Sequence, residues 1–237
     1  MKRLHILFSL SSLAVILVSI ERFSITTRIL LQPYDFLRLH EAIQMTALIL
    51  ATVIIPFFVF KEVTHDFSLL TQGSKKNLLM AALFVTGIYF YASGNAYHEL
   101  ASFLLNQYCD IKNVTGSLCK GMFFNDYYVG NGLYFVGAFL MTIIPILFEV
   151  AHPRFLMKRS DFFLLIPNVL FYALAIIAYA GFDRVLVGLV YSLFTMLFVL
   201  VIILIHRKEA KRLPVTNYTA LIYVIGTAVA CIVRFLH

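Results

Sequence analysis

Seven apolar runs separated by short polar stretches set the pattern of this chain, at 4–20, 42–60, 78–105, 127–150, 162–180, 185–205 and 218–233. A helix rises about 1.5 Å per residue, so roughly 20 mostly apolar residues are needed to cross about 30 Å of hydrocarbon. The runs therefore predict an all-α, polytopic membrane bundle of seven transmembrane helices, with residues 1–237 forming a single integral membrane domain. The longest loops, 21–41, 61–77 and 108–126, are too short for an independent core. Lys2 and Arg3 precede the first run as they would in a signal peptide. No pair of small residues stands before Glu21, where Val18, Ser19 and Ile20 are found, so the run reads as an uncleaved anchor.

Composition supports the membrane class. With 61% hydrophobic and 13% charged residues, the chain has too little polar surface to coat a soluble globule of 237 residues. Twelve of the nineteen Lys and Arg fall at the N-terminus and in alternate loops. By the positive-inside rule this predicts a cytoplasmic N-terminus and an extracytoplasmic C-terminus. The net charge of +7 follows from the same bias and gives no reason to expect nucleic acid. The bilayer is the expected partner, and the basic stretch 207–212 suits anionic lipids of the inner leaflet.

Cysteine placement agrees with that orientation. Cys109 and Cys119 flank a polar loop on the predicted outer side, where a disulfide persists. The bacterial inner membrane, or another membrane with an oxidising outer face, fits this pairing. Cys231 reads as a packing residue, and Asn113-Val114-Thr115 matches the glycosylation acceptor pattern.

Antiparallel runs two, three and four bring their polar residues to one level at the outer leaflet. Run two offers His40, Glu41 and Gln44. On run three, Asn95, His98 and Ser102 share a helix face, with Glu99 on its edge. Asn125, Asp126 and Asn131 open run four. Ionisable groups in spans are costly and usually face the bundle interior or a wet cavity. This predicts His98, Asp126 and His40 as ligands of a divalent metal such as zinc, with Glu99 or Glu41 as general base. Asn95, Asn131 and Arg38 are the expected substrate contacts, and a lipid is the expected substrate. The competing structural reading makes Asn125 or Asp126 an N-cap and leaves the other groups wet at helix ends.

Motif tests are negative. His40 is followed at the zinc-protease spacing by Gln44 and His98 by Ser102, and there is neither a P-loop nor a nucleophile elbow. Run seven lacks the lysine that would carry retinal. The alkaline ceramidase and adiponectin receptor group is similar in span number, but this chain lacks its two late histidines.

Other residues read as structural. Gly130, Gly132 and Gly137, Ala92 with Ala96, and Gly226 with Ala230 would let helices approach closely. Pro56, Pro145 and Pro167 would kink their spans. Glu149, His152 and Asp161 read as solvated ends, Asp183 as a cap of span six, and 21–40 as an interfacial connector. Three functions are compatible: a metal-dependent hydrolase or lipid-modifying enzyme first, then a partner subunit, then a transporter of a proton, cation or small polar solute. The transporter ranks last because inward-facing polar residues within the spans are few.

Overall fold

The computed structural model describes residues 1–71 and 74–236. The two residues left out of loop 61–77, 72 and 73, and the last residue, 237, are outside that range. Seven helices are long and apolar enough to cross a membrane: α1 (Lys2–Glu21), α2 (Leu39–Val63), α3 (Lys75–Tyr108), α4 (Ser117–Ala151), α5 (Arg159–Gly181), α6 (Val187–Ile205) and α7 (Pro214–Leu236). No strand occurs among the described residues. All seven expected spans are present, and most extend a few residues past their apolar run, because backbone hydrogen bonding continues into the polar flanks.

Span four departs most from expectation. It begins at Ser117 rather than near Tyr127, so Asp126 lies inside the helix and caps nothing. Prolines 56, 145 and 167 sit inside α2, α4 and α5, as expected of membrane helices, whose neighbours compensate the lost bond.

α4 occupies the centre of the bundle, against α2, α3, α6 and α7, while α1 packs on α2 and α5. Its contact with α3 is a seam of four glycines, two per helix, each pair spaced by seven residues. A Cβ on Gly94 would stand 2.2 Å from the Tyr134 amide nitrogen, and one on Gly137 would stand 2.2 Å from that of Tyr91. Gly87 meets Leu140, and Gly130 meets the backbone of His98. Gly130 and Gly137 pack as expected, but Gly132 faces open space and the α3 half of the seam is Gly87 and Gly94 rather than Ala92 and Ala96.

α6 shows how the helices are oriented in an apolar solvent. Val190, Phe194, Leu197, Val201 and Leu204 are exposed, whereas Gly188, Tyr191, Ser192, Thr195 and Val199 are buried on the opposite face. The more polar side faces inward, as a helix surrounded by lipid tails allows.

The alternating helices give the bundle two ends. One carries the chain's amino terminus; the other carries the loops 21–38 and 109–116, tied by a disulfide between Cys109 and Cys119. Closing so short a loop contributes about 2–3 kcal/mol, in the view that it restricts the unfolded chain.

Two expected helix-end roles are corrected here. Glu149 is only 2% exposed. Its carboxylate accepts from the Val215 and Thr216 amides, both at 2.8 Å, and from the Thr216 hydroxyl at 2.7 Å. It thus caps α7 from a neighbouring helix, since the α7 amino terminus has free N–H groups to satisfy. Asp183 does not cap α6, which starts at Val187. It accepts from the Arg184 amide at 2.7 Å, and burial raises its carboxyl above the usual aspartate range.

Candidate functional site

The polar cluster lies at the disulfide end and draws on four helices. Its geometry starts from the glycine seam. Because Gly130 lets α4 lie against the backbone of His98, Asp126, one turn earlier on α4, reaches the imidazole. His98 Nδ1 is 2.7 Å from Asp126 Oδ1 and 3.3 Å from the Asp126 carbonyl. The helix widens into a π-helical turn at Asn125–Gly130, and α2 does the same at Gln44–Leu48 beside the cluster. Such turns recur at functional positions, because they re-aim side chains without ending the helix.

Arg22, at the end of α1, joins the pair to the next acid. It donates to His98 Nε2 at 3.2 Å and to Glu99 Oε1 at 3.5 Å. A guanidinium can only donate, so Nε2 is the acceptor and the ring proton sits on Nδ1, facing Asp126. The other Glu99 oxygen is 3.8 Å from His40 Nε2, and His40 Nδ1 pairs closely with Glu21. Gln44 donates to Glu21 at 3.2 Å and to the Val18 carbonyl at 3.0 Å. The result is a lateral chain: Asp126, His98, Arg22, Glu99, His40, Glu21.

The expected site residues are thus partly assembled. His98, Asp126, His40 and Glu99 fall in one chain. Glu41 stands apart, gripped by Arg38, which donates to it from Nε at 2.8 Å and lies 5.5 Å from the Phe103 ring centre. Asn95 donates to the Gln44 carbonyl at 3.5 Å, and Asn131 turns back on the Tyr127 carbonyl of its own helix at 3.3 Å. Both asparagines are buried one layer deeper than His98.

The metal expectation does not fit this geometry. Among the described residues no group of three or more His, Cys, Asp or Glu is arranged to hold a metal ion. His98 and Asp126 face each other, while His40 faces Glu21 and Glu99, because each base is held by its own acid.

Its charge balance is informative. Glu21, Glu41, Glu99 and Asp126 supply four carboxylates against the guanidiniums of Arg22 and Arg38. Two negative charges remain in a buried site, where uncompensated charge is costly. His98 and His40 are the imidazoles placed among these carboxylates. Glu21 was overlooked in the sequence because it follows the first apolar run and reads as the start of a connector, whose arginines, Arg22 among them, are expected only to meet a lipid phosphate beside the cluster.

Below the cluster the interior stays polar. Tyr91 and Tyr134, one turn beyond Asn95 and Asn131, place their hydroxyls 3.1 Å apart. Two adjoining cavities of about 60 and 90 Å³ follow. They share Ser11, Pro56, Met141, Thr142 and Tyr172; the first also meets Thr52, Tyr91 and Tyr191, the second Tyr218, Thr219 and Tyr223. Tyr191 and Tyr223 are hydrogen-bonded, and the Ser12 and Tyr218 hydroxyls lie 2.7 Å apart. Hydroxyl side chains therefore run from the cluster toward the amino-terminal end. The expectation that the spans hold few inward polar groups is corrected: Tyr and Thr, counted as apolar or neutral in a hydropathy reading, line the interior.

Comparison of the chain with protein-family models, with curated proteins and with solved structures gives no match.

Proposed function

We propose that this membrane protein binds protons at the His98–Asp126 end and passes them along its hydroxyl-lined interior, as a proton conductor or a proton-coupled carrier of a small neutral solute. The observation that carries this reading is the excess of two carboxylates over guanidiniums in a buried cluster whose spare bases are two imidazoles. Cavities of this size and polarity accommodate water, since roughly 10–15 Å³ suffices for each molecule, and water with hydroxyls completes a proton path. The solute would be uncharged, because the cavities are lined by hydroxyls and apolar groups and by no charged side chain. Metal-dependent hydrolysis loses its support with its ligand set.

Arg22 supplies the control point. While it donates to Nε2, His98 cannot accept a proton there; when it moves to Glu99 or to solvent, the ring can. Its side chain is 51% exposed, which leaves it free to do so.

In liposomes holding a trapped pH dye, the purified protein should dissipate an imposed proton gradient. His98→Ala and Asp126→Asn should each slow this by about 100-fold, the usual contribution of a positioned proton-transfer group. Unchanged flux in both variants would refute the reading.

The exposed side of Arg22, beside His98, favours one second reading, a metal-independent lipid-modifying enzyme that seats a lipid phosphate on the arginine. Release of product from phospholipid vesicles without proton flux would select it.

Orientation belongs to the same proposal: the disulfide end lies outside the cytoplasm, in a bacterial inner membrane or another membrane with an oxidising outer face. Cysteines introduced at 207–212 should react with an impermeant reagent only from the cytoplasmic side. Labelling from outside would reverse the direction of uptake.

A further inference from the structure

A proton taken up at one end must leave at the other, and the amino-terminal end holds a second histidine–aspartate pair. His5 Nε2, on α1, lies 2.8 Å from Asp161 Oδ1, in the first turn of α5, with both side chains 14% exposed. The other Asp161 oxygen accepts from the Lys158 amide at 2.7 Å, which is all that capping α5 requires. Oδ1 is left for the imidazole. The second ring nitrogen, His5 Nδ1, is buried and has no protein hydrogen-bond partner among the described residues. Lys2 and Arg3 precede His5 in the chain, and Lys158 and Arg159 precede Asp161.

His5 lines neither cavity but stands one turn from Phe8, which lines the larger one. Residues 5, 8 and 12 follow the spacing that lines one helix face. The His5 ring meets Phe8 edge-on at 6.5 Å, Phe8 stacks on Tyr218 at 4.1 Å, and Phe8 and Tyr218 both line the larger cavity. Ser12 continues that face to the Tyr218 hydroxyl. A structural cap would explain Asp161, but it gives no reason for a shielded imidazole with one nitrogen unengaged.

We infer that His5 and Asp161 form the second proton-exchange station, between the cavities and the solution at the amino-terminal end. This rests on the proton-passing reading above. In the neutral ring, Nε2–H donates to the Asp161 carboxylate and the Nδ1 lone pair is open. A proton arriving through cavity water binds Nδ1 and gives the imidazolium. The Nε2 proton then leaves through Asp161 Oδ1 to bulk water, which restores a neutral ring carrying its proton on Nδ1. A turn of the neutral ring then presents Nδ1–H to the Asp161 side and the Nε2 lone pair to the cavity side; the next proton binds Nε2 before the Nδ1 proton leaves through Asp161, so each cycle moves one proton from the cavities to solution.

The test is side-specific chemical rescue in oriented proteoliposomes. His5→Ala should lower flux by about tenfold or more. Imidazole supplied from the amino-terminal side should restore it, and the same concentration supplied only from the disulfide side should not. Asp161→Asn keeps an oxygen for the Lys158 amide, so it should fold even if the alanine variant does not, and it should lower flux in the same direction. Wild-type flux in Asp161→Asn, wild-type flux in His5→Ala, or a loss that imidazole rescues equally from both sides or not at all, would each overturn the inference. If the wild-type protein shows no flux, the proton-passing reading falls and this station falls with it. If flux depends on His98 but not on His5 or Asp161, only the station falls.

Discussion

Glu149 and Asp126 lie near opposite ends of the same helix, each 2% exposed, yet they are held in different ways. Glu149 is bound by two backbone amides and a hydroxyl, none of which exchanges a proton near neutral pH. Asp126 Oδ1 lies 2.7 Å from an imidazole nitrogen, a group that does. One carboxylate therefore anchors a helix and the other forms half of a proton-accepting pair. Burial alone does not distinguish them; the chemistry of the donor does.

The sharpest way to break this contrast is to separate α3 from α4. Gly94→Val forces a side chain into the Tyr134 backbone, where a Cβ would already stand at 2.2 Å. It should cost about 3 kcal/mol or more, at the upper end for overpacking, and pull His98 from Asp126 while leaving the Glu149 cap in place. Thermal unfolding in detergent reads the loss. Gly132→Ala, with nothing within 4 Å, should melt like the wild type.

Next in size is Glu149→Ala, which strands three buried donors at the start of α7. It should lower stability by about 2–4 kcal/mol, with Glu149→Gln recovering part of that. Asp126→Asn should be the converse, slowing proton flux by about 100-fold with a much smaller drop in melting temperature. Equal stability losses in the two variants would erase the distinction.

The smallest expected effect is the most specific. Arg22→Gln frees His98 Nε2 without removing an acid or an imidazole, so proton flux should rise rather than fall. A loss of flux would show that Arg22 positions the cluster instead of latching it.

The fold was legible where the signal was length and apolarity. Seven runs gave seven helices, and alternate directions put His40, His98 and Asp126 at one end before any contact was known. The disulfide was legible too, because Cys109 and Cys119 share a short loop. The glycine seam was half visible: Gly130 and Gly137 stood out in run four, but their partners Gly87 and Gly94 were masked by nearby Ala92 and Ala96, which share the small size and not the facing surface. Span four was cut short because residues 117–126 are too polar for an apolar run, although they continue the same hydrogen-bonded helix.

Function was less legible, for a physical reason. Depth follows from counting residues along a helix, but which acid meets which base depends on helix rotation. A residue-by-residue pattern constrains rotation only weakly when lipid and protein interior are both apolar. Hence Glu21 and His5 carried no signal, Arg22 read only as a lipid-phosphate contact, and Glu149 looked like a wet helix end. The tyrosines were hidden in a different way: their rings score as apolar, and only packing shows that their hydroxyls turn toward one another across the interior.

The amino-acid sequence by itself determined the number of spans, the cysteine pairing and the level of the polar residues, because each depends on chain length, covalent proximity or transfer from water to hydrocarbon. The tertiary structure alone decided that His98 faces Asp126, that His40 stands between Glu21 and Glu99, and that the metal ligand set does not assemble. Those outcomes depend on helix backbones closing to glycine distance, which fixes rotation to within a side chain.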